Sequence, residues 1–586
     1  MSKPRPESAI HVASHQTLKE RGVIVVSGKR RRIAVFAEGE SVFAVENNCP
    51  HMGFPLDKGS VKDGMLTCHW HQARFDLRSG CTFDLWADDV ARHQAWLEAG
   101  EVYVAPEPAH PLGEADHRQR LIRGLEQNIG LIQAKSILAL LEAGVSLQSI
   151  VREVVRFASA NLTGISEGMI RLGCVTRVFD YLSRRTRYKA LYYAIRQIGE
   201  ETSQSTPRRP RQALSDTSHG LATLKQWMRQ WVQTRHRDGA ERTVLTALEQ
   251  LPGEDVADLV FGGATERLYA NGGHLLEDCN KAFELTELLG DEEAVNLIPL
   301  AIPSMTSGRG QEESTNWHHP VEIVDPLRNI ERFLPAILDR PRTDSWHPSE
   351  SLRETLLGDD PLRILETLEA ALSDGAPPDR LAREVCYAAA LRLARFATSN
   401  EVADWFNPQH TFIYSNGVYQ AVRRSGTPDV VRGIFHGAIS VYMDRYLNVP
   451  PARLPGERKS RDELPDDPEV LLKSLLAELD QRANVEKLAD IVSRYITLGL
   501  DFALLVDTLV LATVREDLDF HSLQVLEAAV NQCRAWGDTD APEREHIMIG
   551  VVRNLAAQCP TRRAGEQTAD IAQRLHNGEK IFEGEV

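Results

Sequence analysis

Cysteine is scarce in this sequence: eight among 586 residues, at positions 49, 68, 81, 174, 279, 386, 533 and 559. Spread so thinly, they exclude a disulfide framework. Long apolar runs are missing too. The longest, Phe502 to Val514, is interrupted by Asp507 and is too short to span a bilayer, and the opening MSKPRPESAIHVAS has no apolar stretch of signal-peptide length. No run of Lys and Arg with interleaved aromatics occurs, and 67 basic against 83 acidic residues leave a net charge of −16 that repels phosphate backbones. These absences predict a cytoplasmic chain with no membrane segment and no nucleic-acid partner.

What is present is globular: 42% hydrophobic and 26% charged residues, in a length that at ~150 residues per domain predicts about four domain-sized units. From Gly22 to Val104 the chain reads as short strands (Val23–Val26, Arg32–Ala37, Val42–Val45, Met65–Cys68, Ala73–Asp76 and Glu101–Val104) separated by glycine-bearing turns. That is the pattern of a small all-β domain. Two of its loops carry Cys49-Pro50-His51 and Cys68-His69-Trp70-His71, a C-x-H followed after sixteen residues by C-x-x-H.

Two thiolates and two imidazoles on paired loops suit zinc or an iron–sulfur cluster. The surrounding CPHMGFPLDKGSVKDGMLTCHWHQARFDLRSG resembles the Rieske [2Fe–2S] domain. The resemblance implies that Cys49 and Cys68 hold one iron and His51 and His71 the other, in a one-electron carrier whose histidines face a partner. Respiratory Rieske proteins add a disulfide between the loops; those two positions are Phe54 and Trp70 here, so the domain resembles the lower-potential ferredoxin and oxygenase branch. His69 is expected to face solvent and Cys81 to be an ordinary turn residue.

After Ala105, Pro106, Pro108 and Pro111 read as a linker, and from about Asp116 to about His576 apolar residues recur at helical spacing, as in Leu121, Leu125, Ile129 and Ile132. Four segments look alike, each built around a helix-ending glycine (144, 253, 375 and 499) at a spacing of roughly 110–125 residues. A second helix follows in each, with Met169, His274, His410 and His521 at corresponding early positions. A third follows near Lys189, Glu293, Asp429 and Glu543. The expected organisation is a Rieske domain over 1–105, a linker over 106–115, and four helical repeats over 116–212, 213–340, 341–460 and 461–586.

The second and third repeats hold most of the candidate ligands of a second site. His274 with Glu277, and His319 with Glu322, are spaced i, i+3 and share a helix face if the local helix holds. His410 and His436 come from the third repeat, and Asn280 and Asn416 are candidate hydrogen-bonding support. Imidazoles and carboxylates converging from facing helices are how helical bundles build non-haem iron sites. A metal-free role for these histidines and a purely structural one stay open. His318, His347 and His546 read as surface or capping histidines. In HHPVEIVDPL and QHTFIYSN the helical region resembles the questin-oxidase-like family, which implies an oxygenase. No His-x4-His follows the Rieske domain, so the mononuclear iron motif of the usual Rieske oxygenase partner is missing.

The expected function is therefore a Rieske-dependent oxidoreductase: an electron-donating reductase or ferredoxin feeds the cluster, and a small organic substrate is oxidised at His274 and His410. The alternative is an electron-transfer protein whose helical array docks a partner enzyme. Fusion in one chain favours the enzyme, because tethering raises the effective concentration of donor and acceptor. The sequence is compatible with a homo-oligomer.

Overall fold

The computed structural model describes residues 5–29, 31–215, 218–342, 345–458, 460–482, 484–537, 541–579 and 581. The outermost residues of the first and last expected domains, 1–4 and 582–586, lie outside this range, as do Asp216 and Thr217 in the second repeat and Lys459 in the loop of the third. The chain divides into two compact units: residues 1–146 with 564–586, and residues 147–563.

The first unit is built on nine strands: β1 (Ile10–Ser14), β2 (Val23–Ser27), β3 (Arg32–Glu38), β4 (Ser41–Glu46), β5 (Ser60–Lys62), β6 (Met65–Thr67), β7 (Arg74–Asp76), β8 (Arg92–Glu98) and β9 (Glu101–Pro108). Six form an antiparallel sheet in the order β1-β9-β8-β4-β3-β2, and β5-β6-β7 form a second sheet. Alternation along β3 explains how they stack. Ile33 and Val35 join Leu18, Ala44, Val102 and Val104 on one face. Ala34 and Phe36 join Val45, Leu56, Leu66, Phe75 and both motif cysteines on the other. The first face is covered by the helix His15–Arg21, started by Ser14, whose hydroxyl accepts the Thr17 N–H, and ended at Gly22.

This unit is larger than the expected 1–105. Pro106 and Pro108 are the end of β9 rather than linker, beyond the last rung with β1 at Ile10–Val104, where a missing N–H costs nothing. The helices Glu114–Glu126 and Gly130–Glu142 belong to it, and so does Ala564–His576 from the far end of the chain, which packs on Gly130–Glu142.

The second unit is helical, and among the described residues no strand follows Pro108. Gly144, Gly375 and Gly499 take the left-handed conformation that ends a helix. Gly253 differs: it is the first residue of the helix Gly253–Ala264, behind Pro252. The third helix of the second set is broken into short turns over 291–307, because Pro299 and Pro303 each remove a backbone donor.

The second helices of the four sets, Glu167–Val178, His274–Leu289, Phe406–Arg424 and Phe520–Trp536, pack in a closed ring. Each touches the next, and the last touches the first. Most residues of these four helices are buried, many polar ones included. No helix among the described residues is long and apolar enough to cross a membrane.

Candidate functional site

In the β domain the two motif loops have the same hydrogen-bonding plan. The Cys49 N–H donates to the Phe54 carbonyl at 2.8 Å and the Gly53 N–H to the Cys49 carbonyl at 2.8 Å; the Cys68 N–H donates to the Ala73 carbonyl at 2.8 Å and the Gln72 N–H to the Cys68 carbonyl at 3.0 Å. Positive φ at Gly53 and Gln72 completes each turn. Both thiols are buried, His51 is half-buried and His71 exposed, with the imidazole centroids 4.8 Å apart. A hydrogen bond from Cys49 and the N–H groups of Trp70 and His71 bring the Cys68 thiol down to about 6. Burial, then His71, brings His51 down to about 4.

Two sulfurs and two imidazoles thus converge from the paired loops, and His51 Nδ1 is buried with no hydrogen-bond partner. These residues fit a [2Fe–2S] cluster. Phe54 and Trp70 lie ring to ring at 6.2 Å where respiratory relatives carry a disulfide. His69 and Cys81 are exposed. Two features come from the added helices. Lys135 Nζ donates to the Pro50 carbonyl between the first two ligands, and a Cβ on Gly53 would lie 2.9 Å from Leu575.

The fold and this site define a one-electron carrier of the histidine-ligated iron–sulfur class. Residues 8–88 match the family model of the Rieske [2Fe-2S] domain, and the chain therefore carries a Rieske electron-transfer domain ahead of its helical body. Over 105 residues it is 32% identical to human Apoptosis-inducing factor 3, covering 17% of each chain. Over 51 residues it is 39% identical to the Anthranilate 1,2-dioxygenase ferredoxin subunit of Burkholderia cepacia, covering 9% of this chain and 47% of the relative. The chain thus spans a small part of the first relative and about half of the second. Among solved structures, the ferredoxin of carbazole 1,9a-dioxygenase from Nocardioides aromaticivorans IC177 is 27% identical, covering 17% of this chain and 100% of that one, with a TM-score of 0.17.

In the helical body His274 and His410 come together, and the third member of the group is His521. One ligand atom from each lies within 4.8 Å of the others. The imidazole centroids are 4.8 Å (274–410), 5.2 Å (274–521) and 4.6 Å (410–521) apart. Nitrogens bound to one ion at ~2.1 Å sit ~3–4 Å apart, so small side-chain rotations suffice for a shared metal. His274 and His521 are the first and second residues of their ring helices and His410 the fifth of its own. His274 is placed by the turn Asn271-Gly272-Gly273, where φ is positive at each residue and a Cβ on Gly273 would meet Tyr414 at 2.9 Å.

Asp519, the N-cap of the Phe520–Trp536 helix, accepts the His521 N–H at 3.1 Å and puts Oδ2 3.2 Å from His521 Nδ1. His521 Nδ1 is thus beside a carboxylate without a hydrogen bond of good geometry to it, and Nε2 of His521 faces the group. Burial, then the neighbouring His521, lowers His274 to about 4. Burial, then His521 and His274, lowers His410 to about 3. Both rings are neutral near pH 7 and available as donors.

The other expected ligands lie elsewhere. Glu277 is buried one turn below His274; its Oε2 accepts from Gln524 Nε2 at 2.9 Å and its Oε1 packs on Gly417. The shared face expected of His319 and Glu322 does not form, because 318–323 are a turn and bends containing Pro320. Glu322 is exposed, 2.7 Å from His318, and accepts the Val324 N–H at the start of the next helix. His436 is buried 3.7 Å from Glu331. Asn280 accepts from Arg424 at 2.8 Å, and Asn416 from Gln532 at 2.9 Å. Deeper in the ring, the wholly buried Lys281 donates to Glu284 (2.8 Å) and Glu527 (2.7 Å). His318 and His546 bond within the fold, His546 to Tyr387 at 2.8 Å, and His347 is exposed.

Beside the three histidines is a cavity of about 570 Å³, reached through His410 and Thr411 and lined also by Tyr269, Trp317, His319, Tyr442 and Asp444. His521 was legible as the repeat counterpart of His274 and His410. Asp519 and Asp444 gave no sequence signal.

Proposed function

We propose that this protein is a Rieske-dependent oxygenase-type oxidoreductase. The Rieske domain takes electrons from a reductase or ferredoxin, and the helical body oxidises a small organic molecule at a non-haem metal held by His274, His410 and His521. The observation that carries the reading is the convergence of three histidines from three ring helices beside a cavity of substrate size, about 570 Å³. The resemblance of the β domain to a dioxygenase ferredoxin subunit supports the electron-donor side.

The roles divide by position. Cys49, Cys68, His51 and His71 hold the cluster, which when bound supplies single electrons, and the exposed His71 and Trp70 form its face toward a donor. Asp519 fixes His521, and the rings of Phe406 and Phe520, 6.1 and 3.9 Å from that of His521, shield the three histidines from water. Three neutral ligands would leave a divalent ion held there with its charge uncompensated, and such an ion would supply Lewis-acid or redox chemistry at the cavity wall.

The test is iron and acid-labile sulfide in anaerobically prepared protein. The reading expects more than two irons per chain against two sulfides, and a return to two irons in His521→Ala with the Rieske spectrum unchanged. Two irons in the native protein refute the metal site.

A further inference from the structure

Asp444 is 6% exposed and its Oδ2 is buried with no hydrogen-bond partner. It begins the short helical turn after Pro428–Met443 and lines the cavity next to Thr411, the residue that follows His410. Burial pushes its carboxyl up to about 7, against smaller opposing contributions from the Thr411 hydroxyl and from the positive charge of Arg392, which makes no ion pair with it. Among the described residues it forms no ion pair. The two nearby cations are otherwise engaged. Arg392 donates to the carbonyls of Val441 (3.1 Å) and Leu357 (2.8 Å) and to the Asn448 side chain (3.2 Å). Arg445 lies over the rings of Tyr442 and Tyr446, at 3.8 and 4.0 Å, and donates to the Tyr446 hydroxyl at 2.6 Å. Thr411 and Ser440 lie hydroxyl to hydroxyl at 3.1 Å.

A buried carboxylate without a counter-ion is costly, and a folded protein retains one where a ligand supplies what is missing. The rest of the wall indicates the body of that ligand: Tyr269, Trp317, Ile323 and Tyr442 are aromatic or apolar and mostly buried. Aromatic faces around an acid without a counter-ion suit an organic cation, by charge pairing at one pole and cation–π or apolar contact along the body.

We propose that the cavity beside His410 is a binding site for a small organic amine, with the ammonium group on Asp444 and the apolar body against Tyr269, Trp317 and Tyr442. The inference deepens the reading of this cavity as the substrate site, and it needs no metal at the histidines. Asp444 is the specificity-determining residue of the site.

The probes are three compounds of one shape: 2-phenylethylamine, 2-phenylethanol and 3-phenylpropionate, titrated calorimetrically into the full-length protein with the cluster intact, with and without metal at the three histidines. The amine is expected to bind at least tenfold more tightly than the alcohol, and the carboxylate least. Asp444→Asn, which keeps the shape, is expected to lose the amine's advantage. It should melt no lower than the native protein, because a charge lacking an internal counter-ion contributes no stability.

Binding of none of the three compounds, preference for the carboxylate, amine affinity unchanged in Asp444→Asn, or a marked loss of thermal stability in that variant would each overturn the proposal. The last would reveal an internal structural partner instead. Iron content is measured on the same samples: amine binding without a third iron leaves this inference standing and removes the metal, and the reverse separates them the other way.

Discussion

Nε2 of His410 lies 2.9 Å from Nε2 of His521. The contact is either a hydrogen bond between two neutral imidazoles, one carrying its single proton on Nε2, or one edge of a metal-ligand group that His274 completes. Burial opposes a second proton on His410 and so keeps that ring neutral. The first prediction follows. Cobalt(II) or iron(II) added to metal-free protein gives one bound ion per chain with ligand-field bands of nitrogen donors. Each of His274→Ala, His410→Ala and His521→Ala abolishes it, and Asp519→Asn weakens it by about 10- to 100-fold. Binding that survives loss of His521 would show that the group is not the ligand set.

The acid limb of stability should carry the same signature. Folded-state values of about 4 for His274 and about 3 for His410 lie below the ordinary histidine value of ~6.5. As pH falls below ~6.5 the unfolded chain takes up these protons first, so stability is lost between ~6.5 and the two folded values. The slope is about 1.4 kcal/mol per pH unit for each histidine. Asp278 and Asp444, which burial pushes up to about 7, act in the opposite direction. The measurement is therefore a difference. Metal-free native protein and a His274→Gln/His410→Gln variant are denatured from pH 7 to pH 4, and the native protein should lose stability faster.

Lys281 is wholly buried between Glu284 and Glu527. Lys281→Met leaves Glu527 without its ion-pair partner and Glu284 with Arg177 alone, 3.9 Å away, and should cost about 3–5 kcal/mol, read as a shift of the helical unfolding transition by circular dichroism. The variant that also carries Glu284→Gln and Glu527→Gln should recover most of the loss. A native-like transition in Lys281→Met alone would mean that the pair is neutralised in the folded protein.

At the cluster, burial brings the Lys135 amine, which donates to the Pro50 carbonyl, down to about 7, so below that pH it places positive charge beside the ligand loop. Lys135→Met should therefore lower the midpoint potential, because reduction adds negative charge that the lysine stabilises. A tenfold weakening of the reduced form is about 59 mV for one electron. His51→Cys or His71→Cys should lower it further by adding thiolate charge or prevent assembly, and His71→Ala should lose the Rieske paramagnetic spectrum. A spectrum unchanged in His71→Ala would refute the ligand assignment.

Sequence pattern revealed the strands whose alternation is strong and hid those whose alternation is weak. Met65–Thr67 and Arg32–Glu38 were readable, whereas Ser60–Lys62 has a single apolar residue, Val61, Ile10–Ser14 buries none of its residues fully, and Arg92–Glu98 buries only His93 and Trp96. The two loops that bring Cys49, His51, Cys68 and His71 together were legible, because their spacing is local. The second site was half legible. His274 and His410 stood out, but His319 and Glu322 rested on a helix that Pro320 prevents. His521 entered only as a repeat position, because nothing local indicates that four helices far apart in sequence close into a ring.

Arg31 donates to the carbonyls of Leu575 and His576, a contact between residues 544 and 545 positions apart. At 5–20 residues per second, roughly half a minute to two minutes of synthesis separates the two ends of that bond. The β domain therefore emerges from the ribosome with the Gly53 side of its cluster loop not yet covered by the final helix, while Lys135 of the helix Gly130–Glu142 already reaches the Pro50 side. Iron–sulfur loading has this interval of open access, and the final helix then closes over a loop already in place. The order in which the chain is made thus becomes an order of assembly, with the Gly53 side of the loop covered last and the His71 side left open.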